Sequence, residues 1–545
     1  MEERQLMKKP KEQLEKGKRG LLQIVFGRTG IIIILCLIQL GILAFFFNFL
    51  SEHVFAAYWT TVLLGFALVA GIIGEGGNPE FHIAWIVPIL IVPVFGALFY
   101  LYFHTQVDGR KMNKLVVAET NATADLAALN KEITDSLREE SVQMSNLVSY
   151  VTKVCKTGVH RNTTAKYFAS GEEFLEPFLE ELKKARKFIF IEYFIISGGY
   201  MLDSVLEILL AKVKEGVEVR FLYDGTNELF RIPKDYPKKL EADGIKCRVF
   251  APIIPVLSTV QNNRDHRKIV VIDGKTAFTG GLNLADEYIN RKERFGYWKD
   301  CAIMLKGDAV RSFTLMFLRM WEVVSYYPQK GSLKVNKEHY RKYLTAEQTQ
   351  EVMESEDEAA ADENGYVIPY DDNPLDSEQV GELVYMDILN TAKKYVHIMT
   401  PYLVLDREMI VALSYAAKRG VDVKIIMPHI PDKKYAFLLA RTYYNQLLDA
   451  GVEIYEFIPG FVHTKSMVSD DEKAAVGSIN LDFRSFYLSF ECAALLYKNK
   501  EILTMEEDFQ KTLFQCVRVT KDVYNKQPFL NKIYGKVLRL FAPMM

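Results

Sequence analysis

The chain carries one short polar constellation twice. The first copy reads His266-Arg267-Lys268-Ile269-Val270-Val271-Ile272-Asp273 and continues to Gly280-Gly281-Leu282-Asn283. The second reads His463-Thr464-Lys465-Ser466-Met467-Val468-Ser469-Asp470 and continues to Gly477-Ser478-Ile479-Asn480. In each, Lys follows His by two residues, Asp by seven and Asn by seventeen. A single His-x-Lys pair on a strand is ordinary surface decoration. Two copies at identical offsets instead demand a fold of two equivalent halves whose motifs meet on a two-fold axis.

The spacing has a chemical reading. On an extended strand, residues two apart share a face, so His266 with Lys268 and His463 with Lys465 are expected to point the same way. The small residues that follow (Gly280-Gly281, Gly477-Ser478) suit a close backbone approach to ligand, and Asn283 or Asn480 can donate from its amide. A phosphodiester reaction needs a nucleophile, an acid for the departing alkoxide, and cations on the non-bridging oxygens. Two copies supply two of each, and histidine fits both proton roles because its pKa lies near working pH. The constellation points to phosphoryl transfer.

Repetition extends beyond the motifs. Ala185-Arg186-Lys187-Phe188-Ile189-Phe190-Ile191 parallels Ala392-Lys393-Lys394-Tyr395-Val396-His397-Ile398, and Gly216-Val217-Glu218-Val219-Arg220 parallels Gly420-Val421-Asp422-Val423-Lys424. The runs Phe188 to Ile196 and Val423 to Met427 read as covered strands. Leu202 to Lys214 and Met409 to Arg419 have helical periodicity, with Gly216 and Gly420 as C-terminal caps. The expected fold is α/β, two pseudo-symmetric halves forming one catalytic unit.

Ahead of those halves lie three uncharged runs, 30–50, 54–73 and 83–103, each near the roughly 20 residues that cross a bilayer. Transmembrane helices are therefore expected at the N-terminus. Basic residues flank the set on both sides (Lys8 to Arg28, then Arg110, Lys111 and Lys114) and the loops between runs hold none. Positive charge favours the cytosol for both flanks, which three complete spans forbid. One run must be re-entrant or interfacial, or the catalytic part lies across the membrane; a cytosolic catalytic part is the preferred reading. The remaining divisions are a basic tail (1–29), a mainly helical spacer (104–165), the first half (166–345), an acidic linker (346–377) and the second half (378–545). The second half ends in a basic amphipathic segment from Phe529 that suits either a lipid surface or ordinary packing. A net charge of −2 gives no basic field for nucleic acid, and six scattered cysteines give neither a disulfide framework nor zinc spacing.

These residues resemble the phospholipase D superfamily, marked by a duplicated H-x-K-x4-D motif followed by G-[GS]-x-N. Within it the chain is similar to the bacterial cardiolipin synthases: Ile191-Glu192-Tyr193-Phe194, Asn263-Arg264-Asp265-His266-Arg267-Lys268, Thr400-Pro401-Tyr402-Leu403 and Asn480-Leu481-Asp482-Phe483-Arg484-Ser485-Phe486 carry that likeness. Two apolar runs are the commoner arrangement in that branch, so the third is a departure. The resemblance implies a metal-free, cofactor-free phosphatidyltransferase of the bacterial cell membrane. It joins two phosphatidylglycerols into cardiolipin, with His266, Lys268, Asp273, His463, Lys465 and Asp470 as catalytic residues and Asn283, Ser478 and Asn480 binding substrate. One histidine becomes phosphatidylated, by the resemblance His266, while the other serves as acid and then base. Asp300 and Glu491 are candidates to orient the histidines, though their offsets differ between halves. Two rival readings share the motifs: a phospholipase D releasing phosphatidic acid, and a non-catalytic lipid-binding scaffold, which the intact motifs disfavour. Oligomeric state is left open.

Overall fold

The computed structural model describes residues 37–42, 45, 54–104, 107–127, 130–253, 261–327, 335–344, 364–522 and 527–544. Apart from the last residues, the chain divides into two compact units, 1–107 with 254–259, and 108–253 with 260–543.

In the smaller unit the expected run 30–50 falls largely outside the described residues. The second run forms the helix Val54–Gly74. The third is not one helix but two, Pro79–Ile91 and Pro93–His104. Asn78 caps the first by accepting from the Glu80 N–H at 2.9 Å. Val92, at φ −134°, ends it, because the Pro93 ring excludes helical geometry at the residue before it. With 13 and 12 residues, these pieces reach about 20 and 18 Å, well short of a roughly 30 Å hydrocarbon core. Among the described residues no helix is long and apolar enough to cross a membrane, so the expected multi-pass arrangement is not supported. The three helices pack through Ile72, Ile89 and Tyr100, while Leu63, Phe66, Ile73, Ile91 and Leu98 face outward.

The larger unit contains two sheets of matching order. The first runs Thr163–Phe168, Ala302–Gly307, Thr276–Gly280, Lys268–Ile272, Phe188–Tyr193, Glu218–Asp224, Lys246–Phe250. The second runs Tyr366–Asp372, Ser489–Tyr497, Lys473–Gly477, Ser466–Ser469, Tyr395–Met399, Asp422–Pro428, Glu453–Phe457, and adds Cys516–Arg518 at its edge. The strand Phe188–Tyr193 is parallel to Glu218–Asp224 and antiparallel to the motif strand; Tyr395–Met399 repeats both relations. The connecting helices are Tyr200–Lys214 and Arg407–Lys418, and Gly216 and Gly420 follow them with φ of 87° and 92°, the left-handed turn expected there.

The halves share one core. Phe190, Ile269 and Val271 of the first join Val468, Val476 and Leu496 of the second, with the helix Val310–Tyr326 buried among them. Each fully buried aliphatic or aromatic side chain contributes about 1.5–3 kcal/mol, so much of either half's stability depends on the other. The spacer also packs here: Met112, Leu126 and Ala127 join this core, and His160 bridges to Val367. The expected linker 346–377 is shorter than read. Its described part includes the strand Tyr366–Asp372, paired along its whole length with Ser489–Tyr497. Pro369, Asp371 and Asp372 hid that strand in the sequence; the acidic stretch Glu351 to Glu363 lies outside the described residues.

Candidate active site

Both histidines stand just ahead of their strands rather than on them, since regular pairing begins at Lys268 and Ser466. The residues preceding each histidine cross to the opposite half. Arg264–Asp265 pairs with Ser489 and Phe490, and Gly460–Val462 pairs with Tyr297–Lys299. The His266 N–H donates to the Phe490 carbonyl at 2.9 Å, and the His463 N–H donates to the Lys299 carbonyl at 2.7 Å. In each case the next residue on the partner strand is acidic: Glu491 and Asp300.

Those two carboxylates hold the rings. His266 Nδ1 lies 3.0 and 2.9 Å from the Glu491 oxygens. His463 Nδ1 lies 2.7 Å from Asp300 Oδ2. Each histidine is thus held by the other half. With Nδ1–H committed to a carboxylate, the lone pair sits on Nε2. Asp300 is fixed in turn by the Trp298 Nε1–H at 3.2 Å and the Cys301 N–H at 2.9 Å. Glu491 accepts from the Ser478 hydroxyl. Aromatic rings wall both histidines, Phe194 beside His266 at 4.8 Å and Trp298 beside His463 at 5.2 Å between centroids.

Electrostatics couples the two motifs. Burial, then Lys268 and Lys465, push His266 far below its ordinary pKa. Burial and then Lys465 bring His463 down to about 4, against the opposing pull of Asp300. Desolvation also lowers Lys268 to about 7 and Lys465 to about 8. The carboxylates diverge. Burial raises Glu491 to about 7. In Asp300 burial is outweighed by His463, Lys465 and the Cys301 amide, and its pKa falls. The site therefore sets neutral imidazoles among the cations Lys268, Lys465, Lys433 and Arg484, an environment suited to a phosphodiester anion.

The other expected site residues fall into two groups. Lys268 and Lys465 reach back to the carbonyls of His266 and His463, so their ammonium groups lie beside the rings. Asn283 is buried; its Oδ1 accepts from the Ile195 N–H at 2.9 Å, and its Nδ2 makes no hydrogen bond. Asn480 is buried with Oδ1 unsatisfied. Ser478, expected on substrate, instead spends its hydroxyl on Glu491. Asp273 and Asp470, expected among the catalytic residues, sit at the far ends of their strands. Asp273 accepts the N–H groups of Arg186, Lys187 and Phe188 at 2.7 to 2.8 Å. Asp470 does the same for Lys393, Lys394 and Tyr395 at 2.6 to 2.9 Å. Both clamp the turn into the strand beside the motif, about 17 Å along the chain from the motif lysine at 3.3 Å per residue. Arg267 turns away from the site and is buried against Glu192 and Asp265.

Several neighbours carried no motif signal. Trp298 meets the His463 ring only because strands from different parts of the chain converge, whereas Phe194, beside His266, belongs to a stretch quoted above. Lys433 and Arg484 both depress the His266 pKa; Arg484 belongs to a stretch quoted above, whereas Lys433, in the loop between the strand Asp422–Pro428 and the helix Lys434–Ala450, lies outside every quoted stretch.

The cardiolipin synthase, PLD-like domain family matches residues 178–321 and 385–513, about half of the chain and both motifs. An uncharacterized protein of Streptococcus mutans serotype c is 49% identical over 464 residues, 85% of this chain and 96% of that protein. The cardiolipin synthase of Geobacillus sp. (strain WCH70) is 32% identical over 506 residues, 90% and 95% of the two chains. Among solved structures, the phosphatidylserine synthase of Haemophilus influenzae Rd KW20 shares the fold, with a TM-score of 0.51 at 16% identity over 70% of this chain and 93% of that one. A duplicated motif, a two-half α/β unit and relatives aligned over nearly their whole length lead to one assignment: the chain belongs to the cardiolipin synthase family of phospholipase D-like phosphatidyltransferases.

Proposed function

We propose that this chain is a cardiolipin synthase that transfers a phosphatidyl group from one phosphatidylglycerol to another, giving cardiolipin and glycerol. The observation that carries this reading is the pair of crossed histidine–carboxylate contacts, which supply two activated imidazoles and two ammonium groups to one buried site. Relatives named cardiolipin synthase support the choice of substrate.

His266, neutral and with its Nε2 lone pair free, attacks phosphorus; the bond to the leaving glycerol oxygen breaks, and phosphatidyl-His266 forms. The entering diester's negative charge offsets Lys268 and Lys465, allowing His463 to take up a proton. Asp300 favours His463 for that proton because its carboxylate stays ionised, while Glu491 at about 7 is a weaker partner for His266. His463 gives its proton to the departing glycerol. It then takes one from the terminal hydroxyl of a second phosphatidylglycerol, which attacks phosphorus and regenerates His266. One diester replaces another, so no nucleotide is consumed. Lys268, Lys465 and the amides of Asn283 and Asn480 hold the non-bridging oxygens as charge builds. The outward apolar side chains of the smaller unit are consistent with residence at the membrane.

Purified protein given phosphatidylglycerol alone should yield equal amounts of cardiolipin and glycerol by mass spectrometry. Phosphatidic acid as the main product would replace this reading with a hydrolase, and no product would return the scaffold. Acid quench with phosphate-labelled substrate should place the label on the His266 peptide; label on the His463 peptide would reverse the two roles.

A further inference from the structure

The C-terminal helix Phe529–Leu540 packs on the helix Lys434–Ala450 by one narrow stripe. At Gly535 a Cβ would lie 2.8 Å from the Thr442 side chain and 2.9 Å from the Leu438 carbonyl, so the backbones touch there. Four residues on, Arg539 stacks over the Tyr443 ring at 4.3 Å. These contacts advance together, so the two helices run parallel. The start of the C-terminal helix therefore lies at the Lys434 end of its neighbour. That end belongs to the site: the helix Lys434–Ala450 follows the strand Asp422–Pro428, and each motif strand starts opposite the last residue of its antiparallel neighbour, Lys268 opposite Tyr193 and Ser466 opposite Met399. The active site opens where the parallel strands end.

The outer face of this helix is apolar and uncovered. Phe529 and Leu530 are 74% and 76% exposed, and Ile533, Tyr534 and Val537 continue the face. Lys532, Lys536 and Arg539 accompany them, with no acidic residue from 529 to 540. At the corresponding end of the first half, after the strand Glu218–Asp224, Phe230 is 77% exposed. Apolar side chains thus project from both halves at the end that opens onto the site.

We propose that this end of the larger unit docks on an anionic lipid leaflet, with the C-terminal helix lying in the interface and the site mouth facing the headgroups. An apolar face flanked by cations is the chemistry of an interfacial helix on acidic lipid. A second copy fits less well, since a two-fold contact through this face would set like charges against one another. The docking deepens the proposed reaction, which takes an anionic lipid as substrate, and rests on that reading for its purpose.

The test uses full-length protein in vesicles, with bimane on Leu530→Cys and, as control, on Leu503→Cys at the opposite end of the unit. Brominated phosphatidylglycerol should quench the label at position 530 and spare that at 503, with phosphatidylcholine vesicles giving much less quenching. Lys532→Glu with Lys536→Glu should return position 530 to the control level. Equal quenching at both positions, or quenching unaffected by charge reversal, would overturn the proposal. A 530-to-530 crosslink in place of quenching would do so in favour of a dimer. Quenching needs no turnover, so a chain that docks yet makes no cardiolipin would refute the proposed reaction and leave the docking intact.

Discussion

A Cβ on Gly281 would lie 2.0 Å from Oδ1 of Asp300, so a side chain at 281 and this carboxylate position exclude each other. At the equivalent place in the second half stands Ser478, whose hydroxyl donates to Glu491. Glycine goes with aspartate and serine with glutamate. Gly281→Ser should push Asp300 off His463 and lower kcat by at least about tenfold. Ser478→Gly, which removes one neutral donor worth about 1 kcal/mol, should cost about fivefold. Steady-state kinetics on phosphatidylglycerol vesicles separates the two; equal effects would mean that the pairs are not matched.

Asp300→Asn and Glu491→Gln keep the shape of each carboxylate but remove the acceptor that fixes the histidine tautomer. A fall in kcat of about 10²–10⁴ is expected for each, with KM little changed. A rise in KM at constant kcat would assign these residues to substrate binding.

If the two imidazoles act as one unit, His266→Ala and His463→Ala should each abolish transfer, and the double variant should be scarcely worse than either. Multiplying losses in the double variant would show two independent sites.

Lys268 at about 7 and Lys465 at about 8 lose charge within the assay range. Since kcat/KM reports the free enzyme, it should decline from about pH 7, first as Lys268 discharges and then, above about pH 8, as Lys465 does. Stability runs the other way. Both lysines titrate in the fold below their unfolded value of about 10.4, so between about pH 7 and 10 the unfolded chain binds more protons and stability rises with pH. Denaturant titrations of the larger unit's transition should show that rise, and Lys268→Met with Lys465→Met should flatten it.

Asp273→Ala strands three backbone N–H groups at the turn into Phe188. The expected cost is about 1–3 kcal/mol of stability, with turnover per folded molecule largely kept. Thermal melts beside active-site titration would reveal it; a loss of kcat without a lower Tm would restore Asp273 to the chemistry.

The sequence carried the site further than it carried the scaffold. His266, Lys268 and Asn283 were legible because fixed offsets survive in one dimension. The partners of Asp300 and Glu491 were not, since the contacts cross between halves 163 and 225 residues apart. Asp273 and Asp470 were legible as motif members, but spacing could not tell a backbone clamp from a group that meets substrate, and the structure shows the clamp. The strand Tyr366–Asp372 was missed because edge pairing tolerates Pro369, and because Asp371 and Asp372, largely buried here, break a sequence pattern. Run 83–103 looked like one span because composition was read without the break that Pro93 enforces.

The exchange of carboxylates between halves has a genetic consequence. On the proposed reaction, a lesion in one half would disable the histidine of the other, so neither motif could drift while its twin preserved function. Duplication here gives no redundancy: the second copy is an obligate part of the first, and the chain inherits its two halves as a single unit of selection.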